Sequence, residues 1–160
     1  MERLYTIGAY GFDAERFLAA LEAARIDLFL DIRRRRGVRG REYAFANAGR
    51  LQQELEARGI AYRHEIGLAP EQETRALQEQ ADRAGGVARR KRTELGAAFV
   101  EDYTRRTLQR FDWSPLLQEL AAAQRPVLFC VEGRPEACHR HLVAERLTEL
   151  TGVMVTNLLP

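Results

Sequence analysis

Short apolar runs, set apart by longer stretches in which apolar positions recur at helical spacing, are the dominant pattern of this chain. Leu4 to Gly8, Leu28 to Ile32, Ala61 to His64, Val127 to Val131 and Val153 to Leu158 are such runs. They are unbroken rather than alternating, which predicts short strands covered on both faces. Phe17, Leu21 and Ala24 follow Asp13 at i, i+4 and i+7, which predicts a helix with Asp13 as its N-cap; Leu51 and Leu55 predict a second, from near Asn47 to Gly59. A third runs from Glu71 to Ala84 and stops at Gly85-Gly86, and Leu95, Phe99 and Tyr103 mark a fourth. Ser114-Pro115 reads as a cap and first-turn proline for a fifth, through Ala123, and Val143, Leu147 and Leu150 define a last one.

Strands alternating with helices imply crossover connections, so the expected fold is α/β: a mainly parallel sheet of five short strands with helices on both faces. Residues 67–125 hold helical patterns and no convincing strand, which predicts a helical insertion. No repeat or low-complexity linker interrupts the chain, and neither side of Gly85-Gly86 has a core of its own. The expectation is a single domain over residues 1–160. Ligands of open parallel sheets bind at the carboxyl ends of the strands, and that rule groups otherwise scattered polar residues.

Composition narrows the class. An apolar share of 46% and a charged share of 30% suit a water-exposed globular domain, and no run is long enough to span a bilayer. The start, Met1-Glu2-Arg3-Leu4-Tyr5, has no basic and apolar leader pattern, so a cytoplasmic location and no membrane partner are expected. In that setting Cys130 and Cys138 are expected as free thiols. The net charge of +2 conceals two basic blocks, Arg33 to Arg41 and Arg89 to Arg92. Such blocks favour an anionic small molecule or a nucleic acid, although solvated loops read the same way.

At the strand ends, Gly8 and Tyr10 follow the first strand, Asp31 and Arg33 the second, His64 the third, and Cys130 and Glu132 the fourth. Gly8 allows close backbone approach to a ligand. Asp31-Ile32-Arg33 is either a base and an anion clamp or an ion pair that pins the loop. In Arg39-Gly40-Arg41-Glu42-Tyr43-Ala44-Phe45, guanidinium groups interleave with aromatics. Tyr43 and Phe45 are suited to stacking on bases, and equally to anchoring the loop in the core.

The densest chemistry lies in Pro126 to His141, where an apolar run ends in Cys130-Val131-Glu132, crosses Gly133-Arg134-Pro135, and enters a helix at Cys138-His139-Arg140-His141. A thiol at a helix N-terminus beside His139 and Arg140 is in the environment that creates a nucleophile. Cys130 reads as a buried small residue. Cys130, Cys138, His139 and His141 amount to four zinc ligands on paper, but no C-x-x-C or H-x-x-x-H frame is present, so the spacing argues against a metal and no cofactor is called for. A phosphatase-type loop fails too, since three residues rather than five separate Cys130 from Arg134. Glu132 is placed as a general acid or base.

With Thr6-Ile7-Gly8, Asp31-Ile32-Arg33, Gly59-Ile60-Ala61-Tyr62 leading to His64, Gly67-Leu68, Phe129-Cys130-Val131-Glu132 and Cys138-His139-Arg140 in view, the chain resembles a bacterial and archaeal family catalogued as domain of unknown function 488. The resemblance runs from the first strand to the last helix. It implies an α/β domain with these motifs at one rim, and it implies no particular reaction.

The residues thus point to an enzyme-like domain that acts on or binds a phosphate-bearing substrate, a nucleotide or nucleic acid. Asp31, Glu132 and His139 are the expected proton-transfer groups and Cys138 the nucleophile. Arg33, Arg140 and Gly8 are expected at the anion, with Tyr10, Tyr43, His64 and Cys130 on the same rim. Two other readings stay open: a non-catalytic nucleic-acid-binding module using the arginine-rich loops, and a buried ion-pair network of Asp31, Arg33, Glu132 and Arg140.

Overall fold

A computed structural model describes residues 1–160. Five strands, β1 (Leu4–Gly8), β2 (Leu28–Asp31), β3 (Ala61–His64), β4 (Pro126–Cys130) and β5 (Val155–Leu158), form one parallel sheet in the order β3-β2-β4-β1-β5. Around it lie α1 (Ala14–Ala23), α2 (Ala48–Glu56), α3 (Gln72–Ala84), α4 (Ala97–Tyr103), α5 (Trp113–Ala122) and α6 (His139–Thr151).

Residues of β1, β2 and β4 alternate between two buried faces, which explains why these strands read as continuous apolar runs, whereas the edge strands β3 and β5 are partly exposed. Leu4, Leu28, Leu30 and Leu128 pack with Phe99, Tyr103, Leu116, Val143 and Leu147 on the face covered by α4, α5 and α6. Tyr5, Ile7, Phe29, Val127 and Phe129 face the other way, against Phe17, Leu21, Leu51 and Leu55 of α1 and α2. At roughly 25 cal/mol per Å² of apolar area removed from water, two such layers supply the main drive to fold. No helix is long and apolar enough to cross a membrane.

The predicted elements appear with small shifts. β5 begins at Val155 rather than Val153, and the cap of α5 is Asp112, whose carboxylate accepts the Ser114 N–H at 3.1 Å. Ser114 and Pro115 therefore sit inside the first turn, where a proline's missing donor costs nothing. Past Tyr103, α4 continues into one π turn, Thr104–Leu108.

β4 lies between β1 and β2, so its carboxyl end is flanked by the loops leaving both. The segment between β3 and β4 carries α3, α4 and α5 and no strand, as its pattern predicts. Part of that segment reaches back over the rim. The Leu95 N–H donates to the Glu136 carbonyl at 3.1 Å, and Arg92, 3.1 Å through Nε from both Asp82 oxygens, also donates to the Ala137 carbonyl at 3.5 Å.

Candidate functional site

The loop after β4 is held down from two sides. An added Cβ at Gly8 would stand 1.9 Å from the Glu132 carbonyl oxygen, and one at Gly133 would stand 2.9 Å from the Tyr10 carbonyl oxygen, so both glycines let backbone pack on backbone. Ala9 and Tyr10 donate their N–H groups to the Val131 carbonyl at 3.1 and 2.9 Å. From the helix side Arg140, fully buried, donates Nη1 to the Glu132 carbonyl and Nη2 to the Gly133 carbonyl, the latter at 2.9 Å. Gly8 and Arg140, expected at an anion, are thus occupied in holding this loop.

Arg33 is occupied as well. Its Nε and Nη2 meet Asp31 Oδ1 and Oδ2 at 2.8 and 2.7 Å, its Nη1 donates to the Ala46 carbonyl at 2.9 Å, and its guanidinium lies 4.5 Å from the centre of the Phe129 ring. Asp31 accepts two further bonds, from the Arg33 N–H at 3.1 Å and the Tyr62 hydroxyl at 2.8 Å, and is wholly buried. The pair is internally satisfied, and this is the loop-pinning alternative of the sequence reading. Asp31 does not reach the cleft, where it was expected to exchange protons. His64 donates Nε2 to the Arg33 carbonyl at 2.7 Å, beside the pair and away from the cleft.

What the fold does bring together is Cys130, Glu132, Cys138 and His139, all buried, on the floor of a cleft of about 510 Å³. Cys130 ends β4, and Cys138 is the N-cap residue of α6, positioned by the Pro135–Ala137 turn through a 2.9 Å bond from its N–H to the Pro135 carbonyl. His139 opens the helix. Its Nε2 donates to the Ile32 carbonyl at 3.0 Å, because a carbonyl oxygen only accepts, and this turns Nδ1 toward both sulfurs at 3.8 Å each. The Cys130 thiol donates to Glu132 Oε2 at 3.3 Å, while Glu132 Oε1 accepts Arg89 Nε and Nη2, both at 3.1 Å.

Crowding four ionisable groups onto one buried floor shifts all of them. Burial alone would raise the Cys138 thiol, but the Cys130 thiol, the His139 imidazolium and the Arg140 guanidinium hold it well below its ordinary value. The neighbouring Cys138 sulfur and burial push Cys130 well up. Burial raises Glu132, with the Cys138 charge adding and Arg89 opposing. Burial works to lower His139, yet the Cys138 charge outweighs it and the imidazole is raised. The two thiols are thus driven in opposite directions, Cys138 down by its cationic neighbours and Cys130 up.

The walls are cationic. Arg33, Arg34, Arg35 and Arg39 line the cleft from the β2 loop, and Arg75, Arg89, Arg90 and Arg92 line it from the inserted helical segment, against only two carboxylates, Glu79 and Glu132. Arg33 and Arg92 are paired with Asp31 and Asp82, Arg89 with Glu132 and Arg90 with Glu42, and Arg34 donates to the Pro70 and Ala69 carbonyls, while Arg35, Arg39 and Arg75 have no carboxylate partner. Arg75 Nε has no hydrogen-bond partner although it is buried. Arg90 lies 5.2 and 5.1 Å from the ring centres of Tyr10 and Tyr43, which meet edge to face at 5.0 Å; Tyr10 lines the cleft, and Phe45 instead packs into the core against Phe17.

Arg75 carries no site signal in the sequence, and Arg34, Arg35, Arg39, Arg89, Arg90 and Arg92 stand there only as members of the two basic blocks. The second basic block was visible as charge, but nothing local says that a helical insertion folds back over a distant strand end. Tyr103 was read as a helix position only. It stands edge-on to the His139 ring at 5.6 Å and donates its hydroxyl to the Leu68 carbonyl at 2.6 Å, fixing the imidazole from behind.

Comparison with curated proteins and with solved structures returns no match. A family model described as "Domain of unknown function DUF488" matches residues 13–147, most of the chain, and the protein belongs to that family.

Proposed function

We propose that this protein is an enzyme acting on a phosphate-bearing substrate, a nucleotide or a nucleic acid, bound in the arginine-lined cleft with its reacting end on the floor against Glu132, Cys138 and His139. The observation that carries this reading is the pairing of a cationic wall with an ionisable floor in one concavity. Four of these guanidinium groups, those of Arg34, Arg35, Arg39 and Arg75, have no carboxylate partner and would repel one another less with an anion among them. Arg34, Arg35, Arg39 and Arg75 take the anion-holding role in this reading, since Arg33 and Arg140 are committed elsewhere and Arg89 and Arg90 are paired with Glu132 and Glu42. Planar guanidinium groups also match phosphate with paired N–H donors.

The chemical part of the proposal rests on Glu132. Its carboxyl is buried, bonded to a thiol on one oxygen and to an arginine on the other, and set at the cleft floor. That placement suits a group exchanging a proton with a bound molecule.

The experiment is a pair of measurements on a labelled single-stranded oligonucleotide and a fluorescent nucleotide. Replacing Arg34, Arg35 and Arg75 together by alanine is expected to weaken binding at least about tenfold, a loss of about 1.4 kcal/mol. Glu132→Gln is expected to keep binding and to abolish turnover of whichever probe is processed. A native chain that binds neither probe would refute the reading. Binding that persists with no turnover in any form would favour the non-catalytic nucleic-acid-binding module.

A further inference from the structure

The two thiols and the imidazole of the floor meet in a way that their spacing in sequence does not announce. Cys130 Sγ, Cys138 Sγ and His139 Nδ1 all lie within 4.8 Å of one another, and each sulfur is 3.8 Å from Nδ1. Bonds of about 2.3 Å from zinc to sulfur and about 2.0–2.1 Å to nitrogen, at the tetrahedral angle, separate sulfur from nitrogen by about 3.6 Å and the two sulfurs by about 3.8 Å. The gathered atoms are within a few tenths of an ångström of those edges for the two sulfur-nitrogen pairs.

Three further observations point the same way. All three side chains are buried, and buried groups of this kind that carry charge are paired or bind metal. His139 donates Nε2 to the Ile32 carbonyl at 3.0 Å, the outer bond that orients a ligating imidazole and turns Nδ1 toward the sulfurs, where a metal would displace any proton it carries. All three residues line the cleft, so a fourth coordination position would face it, next to Glu132. His141, the fourth ligand on paper, points elsewhere and lies 3.3 Å from Glu145 on the outer side of α6.

We propose that Cys130, Cys138 and His139 form a three-ligand site for a zinc-type divalent metal, with the fourth position open to the cleft beside Glu132. Two thiolates and one imidazole select a borderline-soft ion over magnesium or calcium, and they balance its charge. Three protein ligands with one open position is the arrangement of zinc sites that bind and activate water or a substrate oxygen, whereas purely structural sites are closed. Glu132 is then the base next to the metal-bound molecule and not itself a ligand. The proposal does not depend on which anion the cleft takes.

The test uses the full chain, purified reduced, stripped of metal, and reloaded with zinc or cobalt(II). One zinc per chain is expected, and the cobalt form is expected to show a thiolate-to-cobalt charge-transfer band in the near ultraviolet with visible bands of tetrahedral strength. The chain has two cysteines only, so a charge-transfer band assigns thiolate ligation to Cys130, Cys138 or both even if a variant fails to fold, and its intensity per cobalt distinguishes two thiolates from one. C130S, C138S and H139A are each expected to weaken zinc binding by more than about 100-fold, beyond the 10–100-fold that loss of an outer partner costs. H141A is expected to leave zinc affinity within about threefold of native. A native chain that takes up no zinc, a cobalt form without the charge-transfer band, an equal loss in H141A, or a reduced protein whose cysteines re-form a disulfide in preference to binding zinc would each overturn the proposal. Zinc binding without nucleotide or oligonucleotide binding would refute the proposed function and leave this site standing; the reverse result would do the opposite.

Discussion

Two buried polar clusters sit on neighbouring strands of one sheet and differ in a single respect. At the end of β2, Asp31 and Arg33 satisfy each other and pass their remaining bonds to Tyr62 and Ala46. At the end of β4, Cys130, Glu132, Cys138 and His139 compete for protons and open onto a cleft. Burial and charge are common to both, so neither property marks a site. What distinguishes the second cluster is bonding capacity left over and directed at open space.

The comparison can be broken at the closed cluster first. Asp31→Ala strands a buried guanidinium and is expected to cost about 3–5 kcal/mol of stability in denaturant unfolding. The double replacement Asp31→Leu with Arg33→Met removes both charges and is expected to recover most of that loss. If Asp31→Ala unfolds with the native midpoint, the pair is not the strut described.

Next in size is Gly8→Ala. Its methyl would meet the Glu132 carbonyl at 1.9 Å, backbone against backbone, and overpacking of this kind costs about 1–3 kcal/mol or more. The loop carrying Glu132 should shift with it, so stability and probe turnover are expected to fall together.

At the open cluster the expected effect on stability is small. Glu132→Gln keeps the shape, and its partner Arg89 has a side chain 63% exposed that water can take over. The expected stability loss is at most about 1 kcal/mol, measured by the same unfolding assay. A loss as large as that of Asp31→Ala would erase the distinction between the two clusters.

The smallest effect concerns the wall. Arg92 holds the Asp82 carboxyl below its ordinary value, with burial opposing and Gln78 assisting. A depressed folded value means that this group's stabilisation is present above the unfolded value and is lost as pH falls through the folded one. The native chain should therefore exceed Asp82→Asn in stability at neutral pH, and the gap should close below about pH 4, near the unfolded aspartate value. A gap that widens on acidification would show that Arg92 is anchored by something other than Asp82.

Much of this fold was legible because its three central strands are covered on both faces, which writes them as plain apolar runs, and because the helices between the strands keep their period. The cap of α5 was misplaced by two residues, since Ser114-Pro115 is the commoner signal and only the Asp112 carboxylate reaching the Ser114 N–H shows where the helix starts. The floor of the cleft was legible for a local reason: Cys130 to His139 is one continuous strand-turn-helix passage. The cationic wall opposite was not, because Arg75, Arg89 and Arg92 arrive from a segment whose packing depends on long-range contacts. The same lack of long-range information made Arg33 and Arg140 look like anion ligands. Their partners, Asp31 by bidentate bonding and the carbonyls of Glu132 and Gly133, are fixed by the tertiary structure.

The most direct measurement is the salt dependence of binding of the labelled single-stranded oligonucleotide to the native chain. Arginines that neutralise three phosphates predict a log-log slope of about −2, at about −0.7 per phosphate for single strands. The slope should flatten when Arg34, Arg35 and Arg75 are removed together. A native slope near zero, or one unchanged in that variant, would contradict the assignment of this cleft to a phosphate-bearing substrate.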